Sequence, residues 1–192
     1  MNFSVVILAG GESSRMGRDK AWIEIDGQPL ISHAIATARE AGATEILISG
    51  RPGIDYSALG CAVLLDRESG LGPLGGIERA LETTQASLML VLALDLPKMT
   101  SCFLRKLAKR CSSVAGVIPK VRGQLEPLAA FYPKRCHLIA RDCLLKGHRA
   151  ARDFAGVCLR EDAVRSFDVP SAHWGCFDNW NTPSDIRPTT GP

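Results

Sequence analysis

The sequence predicts an α/β protein of three layers, in which a mostly parallel β-sheet carries helices on both faces. Short apolar runs rich in β-branched residues alternate with helical patterns along the first half of the chain. These runs are continuously apolar rather than alternating, as is typical of strands buried on both faces of a parallel sheet. The predicted strands are 3–9, 45–49, 61–65 and 88–94, and the predicted helices between them are 29–41, 76–84 and 101–111.

The helix at 29–41 has clear signals at both ends. Pro29 suits a first helical turn, where its missing N–H has no partner to lose, and Gly42 is a residue that commonly ends a helix. Apolar residues at helical spacing form its buried stripe, namely Leu30, Ala34, Ile35 and Ala38. Thr100 is the predicted N-cap of the helix at 101–111, because its hydroxyl can accept a backbone N–H.

The order of elements changes after residue 114. Two predicted strands, 114–119 and 125–132, follow one another without a helical crossover, and a helix follows near 133–146. Successive strands joined by a short connection pair antiparallel. The sequence therefore predicts an antiparallel addition to the sheet in the C-terminal half.

The composition narrows the choice of partners and compartment. The 192 residues fit one domain, 1–192, and the net charge of +3 is too balanced for a nucleic-acid-binding surface. Seven cysteines lack any CxxC pair, which argues against a disulfide framework or zinc site and favours a reducing cytoplasm. The apolar runs are far shorter than the roughly 20 residues that span a bilayer, and the first residues have no basic leader pattern. We therefore expect a cytoplasmic protein with no nucleic-acid or membrane partner.

A glycine-rich segment, 8–20, begins where the first predicted strand ends. Its glycines let the backbone approach a ligand closely, while Arg15 and Lys20 supply positive charge for phosphate oxygens. The spacing of Gly11 and Gly17, with no Gly-Lys-Ser/Thr after it, excludes a Walker A loop. A solvated surface turn is the alternative, and it is disfavoured because α/β sheets bind ligands at this position. The segment predicts a polyphosphate site.

Two aspartates follow predicted strands. Asp95 ends the most apolar strand and faces the same crevice as the glycine-rich segment, so we expect a buried carboxylate that needs hydrogen bonds, a cation or a metal. Pro97 shapes a rigid turn there, which makes helix capping by Asp95 the weaker explanation. Asp66 lies at the end of the third strand, where capping of its own turn is a strong alternative to ligand binding.

The stretch 70–75 formally matches the dinucleotide-binding pattern GxGxxG, and Asp95 follows about 20 residues later. In dinucleotide-binding folds the first glycine directly follows the first strand. Here residues 67–69 intervene, and the preceding strand is the third of the chain. The location of the pattern therefore argues against a dinucleotide-dependent dehydrogenase.

The glycine-rich segment reads Leu-Ala-Gly-Gly-Glu-Ser-Ser-Arg-Met-Gly-Arg-Asp-Lys. It resembles the signature LAGGxSxRMGxDK of the molybdenum cofactor guanylyltransferases, within the nucleotidyltransferase superfamily of sugar-phosphate pyrophosphorylases. Further similar segments keep the family's order and cover nearly the whole chain, at 72–76, 94–97, 126–132 and 179–183. The resemblance implies a Rossmann-like nucleotide-diphospho-sugar transferase fold, with a nucleotide-binding N-terminal half and an acceptor-binding C-terminal half.

The resemblance implies nucleotide-binding roles for several residues. The glycine-rich segment would wrap the nucleotide, and the segment 72–76 would lie beside the base. Leu8, Ala9 and Gly10 would lie along the base, and Gly11 would also bind the nucleotide. Asp66 would contact the nucleotide. The family's asparagine at the second strand end is absent here, so either Ser49, with its shorter reach, or Arg51 would take its place.

The resemblance also implies the catalytic and acceptor-side residues. Lys20 and Arg15 would contact the triphosphate, and Asp95 would bind Mg²⁺, the implied cofactor. Physical reasoning alone leaves the acceptor side open, because a strand start and a helix-entry turn explain its residues equally well. By resemblance these acceptor-side residues are Glu126, Asn179 and Asn181.

The implied reaction joins GMP from GTP to the terminal phosphate of molybdenum-charged molybdopterin and releases pyrophosphate. The implied partners are GTP and molybdopterin, with transient contacts to molybdenum-insertion proteins or apo-molybdoenzymes. Related cytidylyltransferases tend to carry LAAG, so the Leu-Ala-Gly-Gly found here resembles the guanine-type version. A cytidylyltransferase or sugar-phosphate nucleotidyltransferase is the alternative enzyme, and an inactive nucleotide-binding partner module is the alternative from another class.

Overall fold

The structure is a computed structural model, and it describes residues 2–10, 20–68, 70–112 and 114–180. In chain order the strands are β1 (Ser4–Leu8), β2 (Glu24–Ile25), β3 (Gln28–Pro29), β4 (Glu45–Ser49), β5 (Ala62–Leu64), β6 (Leu88–Ala93), β7 (Gly116–Val121), β8 (Gln124–Leu125), β9 (Ala129–Pro133) and β10 (Val164–Asp168). The α-helices are α1 (Leu30–Ala41), α2 (Gly72–Thr83), α3 (Ser101–Ala108), α4 (Cys136–Leu145) and α5 (Ala151–Arg160). Short 3-10 helices lie at Lys20–Trp22, Ser57–Leu59 and Ser171–Phe177.

The main sheet has the strand order β10-β7-β9-β6-β1-β4-β5, and β8 pairs with β7. β1 lies between β4 and β6 and runs parallel to both, and β5 runs parallel to β4, so the predicted parallel half is confirmed. β9 is inserted antiparallel between β6 and β7, while β10 pairs parallel with β7. The predicted antiparallel addition in the C-terminal half is therefore also confirmed.

Both faces of the sheet are covered by helices. Successive side chains of a strand point to opposite faces, so Val5 and Ile7 of β1 face one layer and Val6 faces the other. On the first face they pack with residues of α1 and α3, including Ile31, Ile35, Phe103 and Leu104. On the second face the core is completed by residues of α2, α5 and β9, including Leu74, Ile77, Phe154 and Tyr132.

Two of the predicted helix signals, Gly42 and Thr100, are confirmed, whereas Pro29 lies just before the first turn of α1 rather than in it. Pro29 immediately precedes α1, and Gly42 ends it in a left-handed conformation, with φ 99°, that a side chain would strain. Thr100 caps α3, because its side-chain oxygen accepts a hydrogen bond of 3.2 Å from the Phe103 N–H.

Several predicted boundaries differ from the structure. α2 begins at Gly72 rather than at residue 76, because Pro73 fits a first helical turn and the following glycines are helical. The helix predicted at 101–111 ends at Ala108. The strand predicted over 125–132 is interrupted and forms β8 and β9.

The predictions missed α5, β10 and the hairpin of β2 and β3. The buried stripe of α5 consists mostly of small residues around Phe154, so its apolar periodicity is weak. β10 lies at an edge of the sheet and exposes most of its side chains, which removes the apolar run that marks a buried strand.

Candidate active site

Four parallel strands bring their carboxyl ends to one edge of the sheet, which we call the carboxyl edge. It comprises the residues that follow β1, β4, β5 and β6, together with the first turn of α2. The register places Leu8 directly beside both Ser49 of β4 and Ala93 of β6. Ligands of open α/β sheets bind at this edge.

The centre of the carboxyl edge is formed by the end of β1. The Ala9 N–H donates a hydrogen bond of 2.9 Å to the Ser49 carbonyl oxygen, so the pairing with β4 continues one residue beyond the strands. Ala9 is buried, whereas Gly10 is exposed. A Cβ on Gly10 would lie 3.5 Å from the Gly50 carbonyl oxygen, an ordinary contact, so packing against the residues that the structure describes does not demand glycine at this position.

Ser49 lies beneath the first turns of α2 and is only 5% exposed. A Cβ on Gly76 would lie 2.2 Å from the Ser49 hydroxyl oxygen and 3.2 Å from a Leu8 methyl carbon. Gly76 therefore lets α2 approach the ends of β1 and β4 closely. The hydroxyl of Ser49 faces this helix, and its contact with a nucleotide stays a prediction, as does that of the half-buried Arg51.

Asp66 follows β5 and lies against the start of α2. Its Oδ2 atom is 3.3 Å from the position that a Cβ of Gly75 would occupy. The side chain keeps exposed surface, yet the protein atoms around it exclude enough water to raise the pKa of this carboxyl above its usual range. The segment 72–76 and Asp66, which are far from β1 in sequence, are thus brought together at one end of the carboxyl edge.

Asp95 occupies the turn after β6, two residues beyond the strand end. The expectation of a fully buried carboxylate is corrected, because Asp95 is half-buried and the buried anchors of the turn are its neighbours Leu94 and Leu96. Over the described ranges no side-chain hydrogen bond or ion pair holds its carboxylate. Oxygen ligands of this kind suit a hard divalent cation, so the chemistry of Asp95 fits the predicted metal role.

Glu126 lies near Asp95, close enough for the two charges to interact. The antiparallel pairing of β6 with β9 ends at Leu92 and Ala129, and the Ala93 N–H donates to the Leu128 carbonyl oxygen at 2.9 Å, so the turn that carries Asp95 lies beside the turn that begins at Glu126. Burial raises the pKa of the Glu126 carboxyl, the charge of Arg152 opposes that rise, and the charge of Asp95 adds to it. Asp95 therefore lies among charged groups of the C-terminal half.

Lys20 reaches the carboxyl edge through the backbone of Trp180. Its Nζ donates a hydrogen bond to the Trp180 carbonyl oxygen. The Trp180 N–H in turn donates to the Asp95 carbonyl oxygen at 2.9 Å. Two predicted catalytic residues, 75 positions apart in the sequence, are thus linked through one residue.

Several predicted positions fall outside the described residues: Gly11 and Arg15 of the glycine-rich segment, and Asn181. Sequence reasoning missed Arg149, whose Nη1 donates a hydrogen bond of 2.8 Å to the Gly70 carbonyl oxygen. Its own carbonyl oxygen lies 3.2 Å from where a Cβ of Gly72 would be, and Gly72 has a φ of +64°. Arg149 therefore connects the loop before α2 to the segment before α5. The hydrogen bond joins a charged side chain to a backbone carbonyl, and no sequence pattern predicts such a contact.

Two histidines have an oxygen atom within hydrogen-bonding distance of the ring. His33 Nε2 lies 3.1 Å from the Pro97 carbonyl oxygen, and His137 Nε2 lies 2.9 Å from Glu78 Oε1. Within the described ranges no group of three or more His, Cys, Asp or Glu side chains is placed to hold a metal ion. A magnesium ion held by one or two carboxylates and by phosphate oxygens needs no such group.

In the part of the chain that the structure describes, no helix has the length and apolar character needed to span a membrane.

The carboxyl edge brings together a lysine, two aspartates and the closely packed start of α2. This arrangement is typical of an enzyme that binds nucleoside phosphates. Residues 5–163 match a family described as the MobA-like NTP transferase domain. The chain belongs to this family and is a nucleotidyltransferase.

Relatives of similar length carry consistent names. The chain is 33% identical over 182 residues to a probable molybdenum cofactor guanylyltransferase of Opitutus terrae. This alignment covers 93% of this chain and 90% of the relative. It is 31% identical over 191 residues to the molybdenum cofactor guanylyltransferase of Syntrophotalea carbinolica, which covers 96% and 89%. The resemblance read from the sequence motifs is thereby confirmed.

Solved structures show the same fold. The molybdopterin-guanine dinucleotide biosynthesis protein A of Archaeoglobus fulgidus superposes with a TM-score of 0.75 at 24% identity, covering 97% of this chain and 95% of that one. The 2-C-methyl-D-erythritol 4-phosphate cytidylyltransferase of Thermus thermophilus superposes with a TM-score of 0.73 at 20% identity, covering 97% and 96%. The predicted nucleotide-diphospho-sugar transferase fold is confirmed.

Proposed function

We propose that this protein transfers GMP from GTP to molybdenum-charged molybdopterin, forming molybdopterin guanine dinucleotide and pyrophosphate. The observation that carries the proposal is the convergence of Lys20 and Asp95 at the carboxyl edge, through the backbone of Trp180. The relatives' names supply the identity of the nucleotide and of the acceptor.

The transfer is an in-line displacement at the α-phosphorus of GTP. An oxygen of the acceptor phosphate forms the new bond to phosphorus, the bond to the bridging oxygen of the β-phosphate breaks, and pyrophosphate leaves with the electron pair. Lys20, together with Arg15, neutralises charge on the triphosphate and on the departing pyrophosphate. No covalent nucleophile is required, because positioning and charge neutralisation supply the catalysis.

Asp95 is the residue that would hold Mg²⁺, and the Glu126 carboxyl lies close enough for the charge of Asp95 to act on it. A magnesium ion prefers one or two carboxylates together with phosphate oxygens and water, and when bound it neutralises phosphate charge. The protein's own part is to keep the Asp95 carboxylate at a fixed turn, anchored by buried Leu94 and Leu96.

The two halves of the single domain 1–192 divide the substrates. The nucleoside lies along Leu8, Ala9 and Gly10 and toward Asp66, where the start of α2 closes the carboxyl edge. The acceptor lies on the side of Glu126. The free cysteines fit a reducing cytoplasm as the place of reaction.

The test offers the four ribonucleoside triphosphates, each with Mg²⁺ and molybdenum-charged molybdopterin, and identifies the product by mass. We expect a guanine dinucleotide, with one pyrophosphate released per product, and a calorimetric titration in which GTP binds more tightly than CTP. A cytosine product would assign the protein as a cytidylyltransferase of the same fold. Binding of a nucleotide without any product would assign it as a binding module.

A further inference from the structure

The residues 177–180, which we call the C-terminal strap, contact α3 once and the segment that follows β6 twice. Phe177 is buried against α3, with its ring edge-on to Phe103 at a centroid distance of 5.4 Å. Asp178 forms a salt bridge of 2.9 Å with Lys98. The Trp180 N–H binds the Asp95 carbonyl oxygen at 2.9 Å. The strap is therefore aligned on the same segment that carries Asp95.

The strap ends on Lys20. A lysine side chain is long and loses much rotamer freedom when it is held in one place, so a fixed partner changes how well it meets a phosphate. The Trp180 carbonyl oxygen accepts from the Lys20 ammonium, and the same peptide segment donates to the Asp95 carbonyl oxygen. The position of the ammonium is thereby tied to the turn that carries Asp95.

We infer that the backbone of Trp180 is a positioning element for Lys20: it sets the lysine ammonium at a fixed place relative to Asp95, so that both meet one triphosphate. An ammonium has three donors, so the bond to Trp180 is compatible with a phosphate contact. The indole has no part in this role, which belongs to the amide and the carbonyl. The inference rests on the proposed binding of the triphosphate by Lys20.

The test compares Trp180→Pro with Trp180→Ala. Both variants lose the indole, and only the proline variant loses the N–H that binds the Asp95 carbonyl oxygen. Because one backbone hydrogen bond is removed, we expect Trp180→Pro to bind Mg·GTP about 3- to 10-fold more weakly than Trp180→Ala. GMP lacks the β- and γ-phosphates that Lys20 would contact, so the two variants should bind GMP equally.

A double-mutant cycle shows whether the effect passes through Lys20. In a Lys20→Ala background the two residue-180 variants should bind Mg·GTP equally, because the ammonium to be positioned is gone. A proline effect that persists in this background, or that weakens GMP as much as GTP, overturns the inference.

If the melting curve shows that the proline variant does not fold, the salt bridge between Asp178 and Lys98 provides a second test. Asp178→Asn and Lys98→Gln each remove the salt bridge that aligns the strap. Each should weaken Mg·GTP about 2-fold and leave GMP unchanged, since an exposed ion pair contributes little. Unchanged GTP binding in both variants overturns the inference.

The wild-type titration separates this inference from the proposed function. A wild-type protein that binds no guanine nucleotide contradicts the proposed function. A wild-type protein that binds Mg·GTP, with Trp180→Pro and Trp180→Ala binding it equally, contradicts only the positioning role of the strap.

Discussion

Asp66 and Asp95 are both aspartates just beyond a parallel strand, yet their surroundings differ. β5 and β6 are separated by β4 and β1, so the two strands that lead to these residues lie three strand spacings apart, roughly 14 Å. Asp66 is exposed and touches a helix start shaped by glycine. Asp95 is half-buried, lies near Glu126, and is linked to Lys20 through a backbone.

The comparison teaches that the carboxyl edge has a shape-determining end and a charged end. A ligand that spans the edge meets close-packed backbone beside Asp66 and meets ionised groups beside Asp95. A nucleoside triphosphate matches this division, because it has an uncharged base at one end and charged phosphates at the other. We therefore expect substitutions at the two aspartates to affect different parts of the substrate.

The largest expected effect is that of Asp95→Asn on turnover. The variant keeps the shape of the turn and removes the charge that would hold the metal, so Mg²⁺-dependent transfer should fall at least about 100-fold. The melting temperature of the nucleotide-free protein should be unchanged or higher, because the like charge near Glu126 is gone. The measurement is turnover and melting temperature of both proteins, with and without Mg·GTP.

An internally paired, structural carboxylate would behave in the opposite way. Its loss would lower the melting temperature with or without ligand. A variant of Asp95 that melts much earlier and still turns over with unchanged Mg²⁺ dependence would rule out the metal role.

Lys20→Ala should lower kcat/KM about 100-fold, because a cation aimed at the transferring phosphates is lost. Its melting temperature should stay close to that of the wild type. The matched control is Lys106→Ala, which removes an exposed lysine of α3 whose Nζ lies 3.1 Å from His173 Nε2. Full activity of Lys20→Ala at saturating GTP would place Lys20 outside the reaction.

Asp66→Asn should change the pH dependence of stability. Burial raises the pKa of the Asp66 carboxyl, so the folded protein keeps this proton to a higher pH than the unfolded chain does. Between the usual and the raised pKa, the free energy of unfolding therefore falls as the pH rises. Asn has no proton to lose in this range, so the free energy of unfolding of the variant should fall less as the pH rises. Denaturant unfolding at several pH values measures this difference. Identical pH profiles for the two proteins would contradict the desolvation of Asp66.

The parallel half of the fold was predictable because its signals are local. Continuous apolar strands and the signals at Pro29, Gly42 and Thr100 each depend on a few neighbouring residues. α5 and β10 escaped prediction because small side chains and an exposed edge leave little apolar pattern.

The candidate site likewise contains residues that local sequence signals predict and contacts that they do not. The glycine-rich segment, Asp66 and Asp95 stand out by residue type and place after strands. The position of Glu126 near Asp95 depends on the pairing of β6 with β9, which no local pattern determines. The link through Trp180 uses only its backbone, and a backbone contact leaves no trace in the choice of side chain.

The most direct test of the two-ended carboxyl edge is a calorimetric titration of GTP into wild type, Asp66→Asn and Asp95→Asn, each with and without Mg²⁺. Asp66→Asn should weaken GTP binding about 10-fold under both conditions, because a charged hydrogen-bond acceptor for the nucleoside is lost. Asp95→Asn should bind GTP as the wild type does without Mg²⁺, and added Mg²⁺ should give no further affinity. An Asp95→Asn variant that keeps the full effect of Mg²⁺, or an Asp66→Asn variant that loses it, would contradict this division.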